Sequence, residues 1–453
     1  MLMQQIADYA VKEQGSKLPK EVVHHAKRAV IDWYASLLPG SRVKPATLLE
    51  QALADELDHG RARLVSGRRA PLRVAALING AASHSVEFDD IWRDAVYHPA
   101  SPVISAALAA AQTQGANGER FLRGVIVGYE VSTRIGDAVM PSHYKFWHTT
   151  GTVGTYGAAA AVATLLGCNR EQFMHALGNA GTFAAGLQQA FRSEAMSKPL
   201  HGGHAAEAGA LAAMAAAKGV TGVHDILEGE VGFGAAMSVQ PDWARATRGL
   251  GTDYHITRVT FKNHGCCGHN FASLDAVLEL KRRHAFTHND IRKVRIATYK
   301  GGLDIVDNLN PEGDYQAKFS IQYTVAHALV HGSVRLNAFA PERLGDPAVR
   351  ALMQKIECVA DAEMSKAFPR QRAARVEIEL TDGRKHAHFQ PTRKGDPEMP
   401  LTDEELNDKF HELAAPVVGE AAARALLERL WKLEAERSVE FDAGARAAAR
   451  VAS

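Results

Sequence analysis

Cysteine is scarce in this chain: 453 residues contain four, at Cys168, Cys266, Cys267 and Cys358. The only close pair is adjacent, which does not match the CxxC spacing of a zinc or iron–sulfur site. So few thiols fit a reducing compartment. An excess of either charge is also missing. Lys and Arg number 52 and Asp and Glu 51, giving a formal net charge of +1. No field therefore argues for nucleic acid or an anionic membrane as partner. Long apolar runs are absent too, because the alanine runs are broken by Gly, Lys or Glu before they reach membrane-spanning length. The first residues, MLMQQIADYAVKEQG, carry Asp8 and Glu13. They lack the basic start and apolar core of a signal peptide. These absences lead to the expectation of a cytoplasmic protein. Neither repeats nor a low-complexity linker are found.

What remains is an ordinary globular composition, 46% hydrophobic, 23% charged and 7% aromatic. A single core rarely grows past about 250–300 residues, so two domains are the default. Apolar periodicity predicts two amphipathic helices before Pro39-Gly40 and a short one over 45–57. Small-residue helices follow over 71–87, 103–115, 118–134 and from 155. Their Ala and Gly spacing suits close backbone approach in a bundle. Asn169 with Gln172 reads as a capping box, as does Thr402 with Glu405. ITRVTFK and IRKVRIATY alternate as strands, and Asp382-Gly383 between alternating runs reads as a hairpin turn. The expected fold is mainly α. A large all-helical domain comprises 1–268 and 401–453, with a last helix in the Ala/Arg-rich tail. A smaller α+β domain comprises 269–400.

Three polar inserts interrupt the small-residue helices. FDDIWRDAVYHPASP brings Glu87, Asp89, Asp90 and His98 beside aromatics and prolines. PSHYKFWHTTGTVG carries His148 before a helix whose N-terminus can receive an anion. TFAAGLQQAFRSEAMSKPLHGGHAA carries Arg192, Glu194, Lys198, His201 and His204. Broken by Pro199, Gly202 and Gly203, it reads as a loop between helices, and loops held by rigid elements are good places for a site.

GAASHSVEFDD, HPASPVISAALAAA, GYEVSTRIG, FWHTTGTVGTYGAAAAVATLLG, SKPLHGGHAAEAGALAA, LEGEVGFG, FKNHGCCGH and FSIQY occur in that order. On these motifs the chain resembles the MmgE/PrpD family, which includes 2-methylcitrate dehydratase, cis-aconitate decarboxylase and iminodisuccinate epimerase. The resemblance implies a homodimer with a site between a helical and an α+β domain. It also implies carbon-acid chemistry on a small di- or tricarboxylate with no metal and no organic cofactor. Carried over motif by motif, the family's active-site positions fall on Glu87, His98, His148, Lys198, His269 and Tyr323. Arg192, His201 and Asp90 are added as substrate-binding candidates. Two departures stand out. Glu87 occupies a position where relatives commonly have Asp, and Ile91 replaces a threonine of the decarboxylase pattern.

The chemistry suits these residue types. Removing a proton next to a carboxylate builds an enediolate, which needs cations or oriented donors aimed at it and a tuned base. Lys198, His201 and Arg192 supply positive charge, and His98, His148 and His269 supply proton transfer near neutral pH. Acid and base are to be drawn from Glu87, His98, His148 and Tyr323. A dehydratase-type lyase is the first reading. An epimerase of an imino- or amino-dicarboxylate is the second, and a cis-aconitate-type decarboxylase or a non-catalytic helical dimer comes behind them.

Overall fold

The computed structural model describes residues 1–192 and 195–441. Glu194 and the tail read as a last helix lie outside the described residues. The described part is mainly helical, with twenty α-helices and a small four-stranded sheet. Among the described residues, no helix is long and apolar enough to cross a membrane. The chain divides into two compact units, 1–260 with 402–453, and 261–401.

The first unit is a helical bundle built on small residues. At its centre lies Thr149–Leu165, every residue of which is buried. Around it pack Gly118–Val139, Ala100–Gln114 and Ser197–Ala216, and the last of these also packs on Leu72–Ser83. Ala158 to Ala161 let the neighbours approach, which is how a helix with no polar face is accommodated. Lys20–Gly40 and the returning helix Asp403–Val418 pack together on one flank. Both capping boxes form as the sequence predicts, at Asn169/Gln172 and Thr402/Glu405, each stabilising its helix start by about 1 kcal/mol.

Two local readings change. SKPLHGGHAA is not a loop but the first half of the Ser197–Ala216 helix. Pro199 lies in the first turn, where its missing N–H costs no helical bond. Gly202 and Gly203 serve close packing instead of breaking the helix. A Cβ on Gly203 would run into the Leu77 carbonyl oxygen, and one on Gly202 into the Ser101 hydroxyl. The second change concerns ITRVTFK, which is not a strand. It begins in a 3-10 turn, His255–Arg258, and makes one isolated antiparallel bridge, Thr260 with Ile91. Alternation alone does not make a ladder when no neighbouring strand runs alongside, and Phe261 bonds instead to the separate Gly395 carbonyl.

The second unit holds the sheet. Ile291–Thr298 lies between Ile356–Ala360, which it pairs in parallel, and Ala374–Leu380, which it pairs antiparallel. Lys385–Gln390 completes the expected hairpin, with Gly383 at a φ of 88° in the turn. The parallel strand Ile356–Ala360 was not legible from alternation. Phe271–Arg283 and Ile321–His331 contribute to the core over this sheet, with Val294, Ile296, Val376 and Ile378 from the strands.

Candidate active site

The site in the first unit begins where the Leu72–Ser83 helix stops at His84. The chain then runs through Glu87 at a φ of 60° and Val96 at a φ of 48°. Left-handed backbone is unfavourable for any residue with a Cβ and most so for a β-branched one. Each such residue costs about 1–3 kcal/mol and persists only where its surroundings enforce it. The surroundings here do enforce it. Ile91 exchanges two 2.9 Å backbone bonds with Thr260, and Trp92 pairs with Tyr97. The Trp92 indole donates to Asp137 at 2.7 Å. From the returning helix, Lys409 donates to the Phe88 carbonyl at 2.9 Å and holds Asp32 at 2.5 Å, both ionic side chains being fully buried.

Glu87 receives the Lys198 ammonium directly. The two side chains are 17% and 16% exposed, so solvent reaches this pair while most of the polar groups behind it are sealed. Lys198 and His201 stand three residues apart and so share a helix face. The ammonium also lies 5.8 Å from the centre of the Phe191 ring.

Behind the ion pair lies a group of imidazoles. His148 stands at the N-cap position of Thr149–Leu165 without a side-chain capping bond, and its Nδ1 is 3.0 Å from Nδ1 of His201. Two identical nitrogens can share one hydrogen only if one ring donates and the other accepts, so these neutral rings carry opposite tautomers. Burial first, and then His84, His201, Lys198 and His98, pull the His148 imidazole well below its ordinary range. Burial, helped by His84, His204 and Lys198, takes His201 down to about 4. His98 approaches the Asp90 carbonyl through Nδ1 at 2.8 Å, with an Asp89 carboxylate oxygen at 3.4 Å. Both neighbours are acceptors, so Nδ1 carries the hydrogen and Nε2 is the basic nitrogen.

Glu87, His98, His148, Lys198 and His201 are thus brought together in the first unit. The other candidates are placed differently. Asp90, expected to touch substrate, is fully buried and accepts from the Tyr129 hydroxyl at 2.7 Å and the Ala100 amide at 3.0 Å. Burial, with Asp32 and Asp89 nearby, pushes its carboxyl well above the usual range. Arg192 is exposed at the end of a 3-10 turn. His269 and Tyr323 belong to the second unit. His269 pairs through Nδ1 with the Tyr299 hydroxyl at 2.6 Å, and burial with Arg372 and Arg393 lowers it to about 3. Tyr323 lies in that unit's core, its hydroxyl donating to the Ala338 carbonyl at 2.5 Å.

One feature of the cluster was missed from the sequence. His84 and Asp89 are both fully buried and joined at 2.6 Å. Their ring and carboxylate, with His98, bring donor atoms within 4.8 Å of one another. The 2.6 Å separation is a hydrogen-bond distance, and the proton that makes the bond occupies the place an ion would take. Asp89 was named in the acidic insert, and the only sequence signal for His84 was its position inside the quoted GAASHSVEFDD motif.

The buried imidazoles make stability depend on pH in a fixed direction. Burial lowers His143, His201 and His327 to about 4, His255 and His269 to about 3, and His148 well below its usual range. Burial raises the acids Glu130 to about 7, Asp137 to about 6 and Asp90 well upward. Between pH 6.5 and about 4 the unfolded chain protonates six imidazoles that the folded chain keeps neutral, and three buried carboxyls oppose this. The imidazoles prevail, so the unfolded chain binds more protons and stability falls as the pH drops through that window. The urea midpoint should be lower at pH 5 than at pH 7, and a higher midpoint at pH 5 would contradict these assignments.

A 650 Å³ cavity elsewhere in this unit is lined by Lys17, Lys20, Lys27 and Arg123, among others, but by none of the candidate side chains. Its cations are partly engaged, Lys27 with Glu434 and Arg123 with Glu119, which argues against a second anion site.

Comparison with known proteins follows the same lines. The profile described as the MmgE/PrpD N-terminal domain matches residues 4–246, and that of the MmgE/PrpD C-terminal domain matches residues 264–433. The chain is 28% identical to a cis-aconitate decarboxylase-like protein, oryM, of Aspergillus oryzae over 96% of its own length and 95% of that protein's. It is 28% identical to human cis-aconitate decarboxylase over 81% of its length and 77% of that protein's. It is 27% identical to the mitochondrial 2-methylcitrate dehydratase of Yarrowia lipolytica over 69% of its length and 64% of that protein's. Matched in order by both domain profiles along most of its length, the chain belongs to the MmgE/PrpD family.

Proposed function

We propose that the protein is a lyase of dehydratase type that acts on a small di- or tricarboxylate by removing a proton from the carbon next to a carboxylate. The observation that carries this reading is the Lys198–Glu87 pair standing in front of imidazoles held neutral by burial. Lys198 receives a substrate carboxylate and holds the negative charge that grows on it as the proton leaves. That carboxylate must share the ammonium with Glu87, and two carboxylates on one cation push Glu87 toward its protonated form. Glu87 takes up a proton from solvent as the substrate binds and gives it to the departing hydroxide. The carbon's proton passes to an imidazole, the C–H electron pair forms the C=C bond, and water leaves. Dehydratase relatives such as that of Yarrowia lipolytica support this reading.

Decarboxylation is the second reading, favoured by the names of the Aspergillus oryzae and human relatives. The site suits both reactions, since each builds charge beside a carboxylate. In place of the threonine of the decarboxylase pattern stands Ile91, whose side chain is buried and whose backbone is tied to Thr260. We read the working form as a homodimer. Apolar side chains exposed on the first unit, among them Phe146, Leu187 and Val239, support this.

The test is to offer the purified protein 2-methylcitrate, citrate, cis-aconitate and iminodisuccinate and to follow alkene, water and CO₂ balance. Alkene formation from a hydroxy acid without CO₂ is the expected result. Release of CO₂ from cis-aconitate would replace dehydratase by decarboxylase, and turnover of iminodisuccinate alone would favour an epimerase. A chelator should leave the rate unchanged, and inhibition by it would refute the metal-independent mechanism.

A further inference from the structure

The family motifs place proton transfer on His98 and His148, yet the imidazole best supported by its neighbours is a different one. Four rings form the cluster. His148 and His201 share a hydrogen with each other and face Lys198. A proton added to either would create a buried cation beside another cation. His98 has the uncharged Asp90 carbonyl at 2.8 Å and the Asp89 carboxylate farther off, at 3.4 Å. His84 alone holds a carboxylate at 2.6 Å, and neither side chain is exposed.

That bond fixes the tautomer. A carboxylate accepts, so Nδ1 of His84 carries the hydrogen and Nε2 holds the lone pair. Nε2 is buried and has no hydrogen-bond partner among the described residues. A polar atom so placed normally destabilises the fold, and a native structure tolerates it where a ligand or a reaction uses it. The ring lies 4.9 Å from His98 and is stacked on His148 at 5.7 Å, so it stands among the groups the motifs mark as the site.

We propose that His84, through Nε2, is the proton-accepting residue of this site and that Asp89 is its positioning residue. The inference rests on the carbon-acid reading above. In the step, the substrate C–H bond breaks and its proton bonds to Nε2. Its electron pair passes into the enediolate held at Lys198. His84 becomes an imidazolium facing the Asp89 carboxylate, so the buried pair ends with no net charge. This is the arrangement that lets a carboxylate-backed imidazole accept a proton where an isolated one pays heavily in desolvation. The step closes when the imidazolium passes its proton to solvent by way of the neighbouring His98, whose side chain is 12% exposed, after water has left.

The test has two arms. His84→Gln should lower kcat by about 10²-fold with little change in KM, the size of a lost general base. Asp89→Asn should do the same, because an amide can donate to Nδ1 and drive the hydrogen onto Nε2. Unchanged kcat in His84→Gln overturns the proposal. The second arm needs neither a variant nor turnover. Nitrogen-15 histidine spectra of the unsubstituted protein should show His84 as the Nδ1–H tautomer, with a strongly deshielded proton shared with Asp89. A ring protonated at Nε2 alone overturns the proposal even if a variant fails to fold. Failure of the unsubstituted protein to turn over any carboxylate would sink the functional reading instead, and the tautomer would still be read independently.

Discussion

Lys198→Ala should lower kcat by about 10³-fold, the upper end of what one electrostatic stabiliser of a developing oxyanion is worth. The argument is one of position and charge. The ammonium stands on the first turn of a rigid small-residue helix, is 16% exposed and meets Glu87. Nearby imidazoles are held neutral by burial, so none of them replaces the lost charge. Shortening the side chain removes the stabiliser and leaves Glu87 without its cation. It removes no core packing, so the variant should keep its circular dichroism spectrum and its light-scattering mass, which the dimer reading puts at twice the chain's. Unchanged turnover would sink the site assignment, and loss of the fold would make Lys198 a structural residue.

Lys409→Met should cost about 3–5 kcal/mol of stability, measured as a fall in the denaturant midpoint. Breaking one partner of a buried ion pair leaves a charge that can neither hydrate nor pair as before. Lys409 and Asp32 are both fully buried at 2.5 Å, and the same ammonium holds the Phe88 carbonyl next to left-handed Glu87. Replacing both ionic side chains, as Asp32→Leu with Lys409→Met, should recover most of the stability. Activity should not recover with it, because the Phe88 carbonyl stays unheld and Glu87 is free to relax. Full activity in the stable double variant would show that the brace does not position Glu87.

The bundle was legible because its signals are local. Helix starts at Asn169 and Thr402, apolar periodicity and the Asp382-Gly383 turn each act within a few residues, and each formed where read. The glycines misled because one residue type serves two ends. Gly202 and Gly203 looked like breaks, but Gly203 admits the neighbouring Leu72–Ser83 helix and Gly202 admits Ser101 of Ala100–Gln114. ITRVTFK misled for the converse reason: alternation describes a strand's faces and says nothing of whether partners exist. Of the site, Lys198, Glu87 and the histidines could be named from motifs. Their supports could not. Lys409 and Asp32 are 377 positions apart, and no pattern in either segment points to the other. His84 and Asp89 are five apart, close enough to be seen together. In sequence, though, a histidine near the end of a helix and an acid in a loop each have a bland explanation, and only burial joins them.

The most direct test of the whole account is deuterium exchange. The protein would be incubated in D₂O with 2-methylcitrate, citrate, cis-aconitate and iminodisuccinate, and each substrate followed by NMR. The account predicts that the unsubstituted protein moves deuterium onto the carbon adjacent to a carboxylate of at least one of them, accompanied by alkene when a hydroxyl can leave, and that Lys198→Ala does not. Alkene or CO₂ formed without any hydrogen transfer at that carbon, or exchange that persists in Lys198→Ala, would contradict it.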